Sequence, residues 1–117
     1  MHWERICADM EKLHILAVPI RTNGAERDKK TGRWRSIVSV KHAAQAAGLG
    51  TIGRNTLLLT PEYGSMVWLS LILTELVLEA DERKADICNC CGRCVEICPV
   101  NALESPEIYR SASKICS

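Results

Sequence analysis

Phenylalanine is absent from this 117-residue chain, and three tryptophans and two tyrosines are its whole aromatic complement. The omission is unusual and leaves function open. Excess charge is missing too. Fifteen basic residues against 14 acidic ones give a net charge of +1, which makes no case for nucleic-acid binding. No apolar run reaches bilayer-spanning length. Residues 66–80 come nearest, and Ser70, Thr74, Glu75 and Glu79 interrupt them. No membrane span and no targeting segment can be read, and there is no internal repeat or low-complexity tract. What is present is a globular composition, 47% hydrophobic and 25% charged. Its length allows one domain, or a small core with an appended module.

Cysteine is plentiful, and five of the seven lie between residues 88 and 98. Cys88, Cys91, Cys94 and Cys98 are spaced C-x2-C-x2-C-x3-C and followed by Pro99. That is the bacterial ferredoxin-type ligand run for a 4Fe–4S cluster, whose chemistry is one-electron transfer. Two-residue spacers let a short loop wrap one cluster and turn its N–H groups toward the sulfurs. Gly92 is expected to relieve crowding there, and Pro99 to end the wrap. In two-cluster proteins the cysteine before the proline serves the other cluster, so Cys98 is expected to point away from the site of Cys88, Cys91 and Cys94. A zinc site also uses cysteine pairs, but normally two pairs separated by a longer loop. A disulfide framework suits the spacing less well. The odd count and the lack of a secretory signal favour a reducing cytoplasm. Cys90 is out of phase with the ligands, and Cys7 reads as a small buried hydrophobe.

Spacing predicts a helix over 2–13, with Trp3, Ile6, Met10 and Leu13 on its apolar face, then a strand over 14–20. Residues 21–35 read as a polar loop in which six of fifteen are Arg or Lys. It is a solvated loop or a cover that contacts an anionic group. Ser39 is placed to cap a helix through Ala47 that ends at Gly48. Gly48, Gly50 and Gly53 spell G-x-G-x-x-G. They follow a helix, whereas the dinucleotide fingerprint follows a strand. The backbone must pass close to another segment or to a flat ligand here. His42 is either a cofactor contact or a locally bonded helix residue, and the latter is preferred. Strands are expected over 57–60 and 66–74, the second buried on both faces because its run through Trp68, Leu69, Leu71, Ile72 and Leu73 is almost unbroken. A connector over 76–86, a short helix within 95–103 and a final segment with Cys116 complete the chain.

Two stretches, Lys41 to Ser65 and Cys88 to Leu103, together resemble the epoxyqueuosine reductase family and its corrinoid-dependent relatives, including reductive dehalogenases. The resemblance covers about residues 39–117. It implies an α/β chain: a partial nitroreductase-like corrinoid-binding domain over 1–80, followed by a truncated ferredoxin-like 4Fe–4S module over 81–117. In such proteins the clusters pass electrons to a cobalamin, whose reduced cobalt performs the reduction. By matching position, Gly48, Gly50, Gly53, Arg54 and Asn55 lie at the corrinoid, with Tyr63, Gly64 and Ser65 in a nearby turn. Transfer RNA is implied as a partner by the family alone.

The family also carries an Asp, the proton donor to the substrate, before the helix that leads into the glycine turn. Here that place falls near Arg33, Trp34 and Arg35, and the role does not transfer to Asp28. Much of the family's N-terminal half and its second C-x2-C-x3-C-P run are missing, as in a fragment. Cys116 stands where the family has an isolated ligand of the second cluster. At most one stable cluster is expected in this chain alone, with Cys98 or Cys116 as fourth ligand. The expected function is the electron-transferring part of a cobalamin-dependent reductase of this family, an oxidoreductase incomplete in these residues. The alternative is a ferredoxin-like electron carrier or adaptor that serves a redox partner without catalysis of its own.

Overall fold

The computed structural model describes residues 2–20, 26–32, 34–36 and 38–104. The 105–117 segment with Cys116 lies outside the described residues, as do Arg33 and residues 21–25 of the basic loop. The chain divides into two compact units, one of residues 1–43 with 68–79 and one of residues 44–67 with 80–117.

In the first unit, α1 (His2–Lys12) packs on β1 (Ala17–Ile20). Its buried stripe differs from the expected one. Cys7 is buried, with Trp3 and Met10 half-buried beside it, while Ile6 and Leu13 are exposed. The stripe runs at i, i+4 and i+7 through the cysteine. Helix α1 ends one residue sooner than expected, and His14 adopts a left-handed φ of 59°. His14 N–H donates to the Glu11 carbonyl and Ile15 N–H to that of Met10, at 2.9 and 3.0 Å. This is a Schellman ending with histidine where glycine is usual.

A hairpin follows, β2 (Glu26–Arg27) against β3 (Trp34–Arg35). Part of the expected loop is thus ordered as a ribbon. Asp28 sets its turn, accepting N–H bonds from Lys30 at 2.8 Å and Thr31 at 3.0 Å. Next comes α2 (Val40–Ala46). The Ser39 carbonyl accepts from the N–H groups of His42 and Ala43. Its hydroxyl meets His42 Nδ1 at 2.6 Å, so both act in a local helix cap.

The second unit holds β4 (Thr51–Ile52) and β5 (Leu58–Leu59), antiparallel with Thr51 opposite Leu59. Ala44, Thr51, Ile52, Leu58 and Thr60 are buried there, as are Gly48, Gly50 and Gly53. The expected strand over 57–60 shortens to two residues, and Thr60 instead bridges to Gly64.

The expected strand over 66–74 is also shorter. Only β6 (Leu71–Thr74) pairs, antiparallel to β1, with Val18 opposite Leu73. Trp68 is 86% exposed and Leu73 50% exposed. The strand is not buried on both faces, because α1 supplies a layer on one side only. Near the end of the described chain are α3 (Arg93–Glu96) and a 3-10 turn over Ala102–Glu104. A single helix within 95–103 does not form. Pro99 has no N–H to continue the ladder, so the helix stops at Ile97. Helices and strands are mixed, and every strand pairing among the described residues is antiparallel.

Candidate functional site

The glycine turn and the cysteine run lie in the same unit. Helix α2 closes with its own Schellman ending. Gly48 N–H donates to the Gln45 carbonyl, and Leu49 N–H to that of Ala44. Gly48 has φ 78°, and a Cβ there would lie 2.6 Å from the Glu82 carbonyl oxygen. A Cβ on Gly50 would collide with the Leu59 carbonyl, and one on Gly53 would come within 2.7 Å of Leu59 Cδ1. The close approach that these glycines permit is therefore to the chain's own strand and connector. Asn55 is also engaged internally, its Oδ1 accepting from Leu57 N–H at 3.1 Å. Arg54 is half-buried.

Tyr63, Gly64 and Ser65 differ from that set. They form an exposed turn, held by paired bonds between the N–H and carbonyl groups of Thr60 and Gly64 at 2.9 and 3.0 Å. Tyr63 is 69% exposed, and a Cβ on Gly64 would meet nothing within 4 Å.

Two polar side chains that carried no signal in the sequence hold the unit together. Gln45 Oε1 accepts from Ile52 N–H at 2.8 Å, fixing α2 to β4. Thr51 Oγ1 accepts from Ile87 N–H at 3.1 Å, across 36 residues of sequence. That bond ties β4 to the residue just before Cys88. A buried threonine cannot be told from an ordinary strand threonine until its long-range partner is known.

From Cys88 the backbone curls. Asn89 Oδ1 accepts from Cys91 N–H at 3.3 Å. Cys90 and Gly92 both take left-handed φ values, 54° and 78°. At Gly92 the need is conformational and not one of crowding, since a Cβ would meet only Glu96 Oε1, at 4.0 Å. The Gly92 carbonyl then starts α3, accepting from Val95 and Glu96.

Cys88, Cys91, Cys94 and Cys98 are all free thiols, as is the buried Cys7. Cys90 does not belong to that free set, and its sulfur lies 3.8 Å from the Cys88 carbonyl oxygen. Ala102 N–H points at Cys98 Sγ, 3.3 Å away. N–H groups of Val100 first, then Ala102, and more weakly Leu103 and Asn101, pull the Cys98 thiol below its ordinary pKa. Hydrogen bonds to sulfur favour the thiolate, the form that binds metal. Among the described residues, no three His, Cys, Asp or Glu side chains stand gathered in a metal-holding arrangement. The loop thus brings four free thiols onto one curled segment without closing them on a point.

Asp28, the acid upstream of the glycine turn, is committed elsewhere. The N–H groups of Thr31 and then Lys30 hold its carboxyl below the usual carboxylate range.

No family model matches the chain. Curated proteins do. An epoxyqueuosine reductase of Gloeobacter violaceus is 49% identical over 71 residues, 61% of this chain and 22% of that protein. The epoxyqueuosine reductase of Bacillus subtilis is 32% identical over 96 residues, 82% of this chain and 25% of that protein. Among solved structures, an epoxyqueuosine reductase with an epoxyqueuosine-modified tRNA-Tyr stem loop superposes with a TM-score of 0.70 at 28% identity, covering 88% of this chain and 25% of its own. The chain spans about a quarter of the length of these relatives. Over that quarter, it belongs to the epoxyqueuosine reductase-like family.

Proposed function

We propose that this chain is the electron-transferring part of a reductase of this family, with a 4Fe–4S cluster held by Cys88, Cys91 and Cys94 and a fourth thiolate from Cys98 or Cys116. The observation that carries this is the donor set. Four free thiols stand at ferredoxin spacing on a backbone already curled through Cys90 and Gly92, and one has N–H groups aimed at its sulfur. When bound, such a cluster takes up and releases single electrons. The chain's own contribution is to supply thiolates, to direct N–H dipoles at sulfur, and to anchor the loop through Thr51. Residues 81–117 then act as a ferredoxin-like module, and a reducing cytoplasm suits their thiols.

For a corrinoid the residues do not form a cradle. Gly48, Gly50 and Gly53 are filled against the chain itself, and Asn55 is spent on its own turn. Only Tyr63, Gly64 and Ser65 present open surface. Cobalamin binding by a nitroreductase-like domain therefore rests on family membership. One solved relative carries a tRNA stem loop. The net charge of +1 adds no electrostatic argument for RNA here.

A second reading is favoured by Asp28. Its carboxylate accepts the N–H groups of Lys30 and Thr31 and is held below the usual carboxylate range, so it is committed to its own turn. On that reading the chain is a carrier or adaptor that hands electrons to a redox partner.

Anaerobic reconstitution with iron and sulfide tests the proposal. The expected outcome is about four iron and four labile sulfide per chain, with a broad visible band that dithionite bleaches. Zinc without sulfide, or no metal, would overturn it. Titration with cobalamin then separates the two readings, since a carrier leaves the corrinoid spectrum unchanged.

A further inference from the structure

Among the described residues, four other than glycine take a left-handed φ, and two of them, Cys90 and Asn101, lie within or just after the cysteine run. That conformation is disfavoured for residues with a Cβ and persists where the surroundings hold it. Asparagine tolerates it better than most. Asn101 has φ 50°, and its side chain is exposed, so packing does not force the conformation. What surrounds it is a turn around Cys98. Asn101 N–H donates to the Cys98 carbonyl at 3.2 Å, closing four residues with Pro99 at the second position. Proline there pre-sets the turn. The next N–H, that of Ala102, points at Cys98 Sγ from 3.3 Å, and Ala102 then opens the 3-10 turn. Two successive N–H groups thus converge on one cysteine, the first on its carbonyl and the second on its sulfur. Successive N–H groups gathered in this way form a concavity suited to negative charge, including that of iron–sulfur sites. The peptide between Asn101 and Ala102 is oriented by the backbone of Asn101.

We propose that Asn101 is a positioning residue of the electron-transfer centre: its left-handed backbone aims the Ala102 N–H at Cys98 Sγ and so raises the reduction potential of the cluster that Cys98 helps to hold. The proposal rests on the cluster reading above and takes Cys98 as the fourth thiolate. Reduction by one electron adds one negative charge to the iron, sulfide and thiolates together. An N–H dipole at a thiolate sulfur stabilises the more negative state more strongly, which favours the reduced form. Asn101 supplies no ligand and acts through the Ala102 amide. Glycine at this position would keep the same φ without a Cβ penalty. Valine would not, because a β-branched residue is a genuine outlier in that region.

The test compares Asn101→Val and Asn101→Gly with the unsubstituted chain. In the metal-free proteins the Ala102 amide proton resonance reads the bond to sulfur. It should move upfield in Asn101→Val and keep its place in Asn101→Gly. After anaerobic reconstitution, a potentiometric titration with dithionite reads the cluster. Asn101→Val should disfavour the reduced form by roughly three- to tenfold, the scale of one charge-assisted hydrogen bond that differs between the two states. Asn101→Gly should match the unsubstituted chain. If Asn101→Val takes up no iron, Asn101→Ala replaces it, with a smaller shift in the same direction. One potential shared by all the loaded proteins would overturn the proposal. So would an equal fall in Asn101→Val and Asn101→Gly, which would make the asparagine side chain the source. Absence of iron and sulfide from the unsubstituted chain would overturn the cluster reading as well, whereas an unmoved potential in a loaded chain overturns the role of Asn101 alone.

Discussion

His14 and Gly48 occupy the same position in two copies of one helix-ending motif, and they pay differently for it. Each sits at left-handed φ, 59° and 78°. A side chain there costs about 1–2 kcal/mol, which glycine avoids. His14 is exposed, so only the backbone term applies. We predict that His14→Gly raises stability by about 0.5–1 kcal/mol, after allowing for glycine's looser unfolded state; chemical denaturation would measure it. Gly48→Ala should do the reverse and more. It meets both the φ penalty and the Glu82 carbonyl, and a loss of about 2 kcal/mol or more is expected. Asp28 gives a pH prediction. Its folded pKa is depressed, so its stabilising contribution is present above the unfolded value of 3.8 and is lost as pH falls through the lower folded value. The Lys30 and Thr31 amide resonances should shift together in that window. Asp28→Asn should hold the turn and abolish the titration.

The cysteine loop and the glycine turn depend on each other. Thr51 connects them, with Ile87 one residue before Cys88. Replacing Thr51 by Val keeps the shape and strands the Ile87 N–H, at a cost of about 1–3 kcal/mol. Faster hydrogen exchange at Ile87 and faster loss of iron to a chelator are the expected readouts. Within the loop, Cys91→Ala should abolish cluster assembly, since it removes a ligand with no in-phase substitute. Cys90→Ala should leave iron and sulfide content unchanged. A loss of cluster on Cys90→Ala would reassign the ligands. The glycine motif shows the same dependence from the other side. Its spacing suggested close passage to another segment or to a flat ligand, and the backbone that does pass close belongs to Leu59 and Glu82.

For the molecule as a whole, the contacts of residues 44–67 with 80–117 set the division into units. Reconstitution should give one cluster per chain and no more, measured as iron per protein. The ferredoxin spacing, the Ser39 cap, the Gly48 ending and the buried Cys7 were all legible in the sequence, because each is a local rule acting over a few residues. Helix α3 was legible only as to existence, since it starts at Arg93, two residues before the expected range. The β6 run was read as doubly buried from composition, while burial depends on what packs against it. Gln45 and Thr51 were not legible at all, since their partners Ile52 and Ile87 are chosen by the fold. Sequence by itself determined the thiol spacing and the turns, for both are carried within a few neighbouring residues. Tertiary structure alone decided what the glycines touch, where the cysteine loop is anchored and which sheet face is left open, because these follow from contacts between segments distant along the chain.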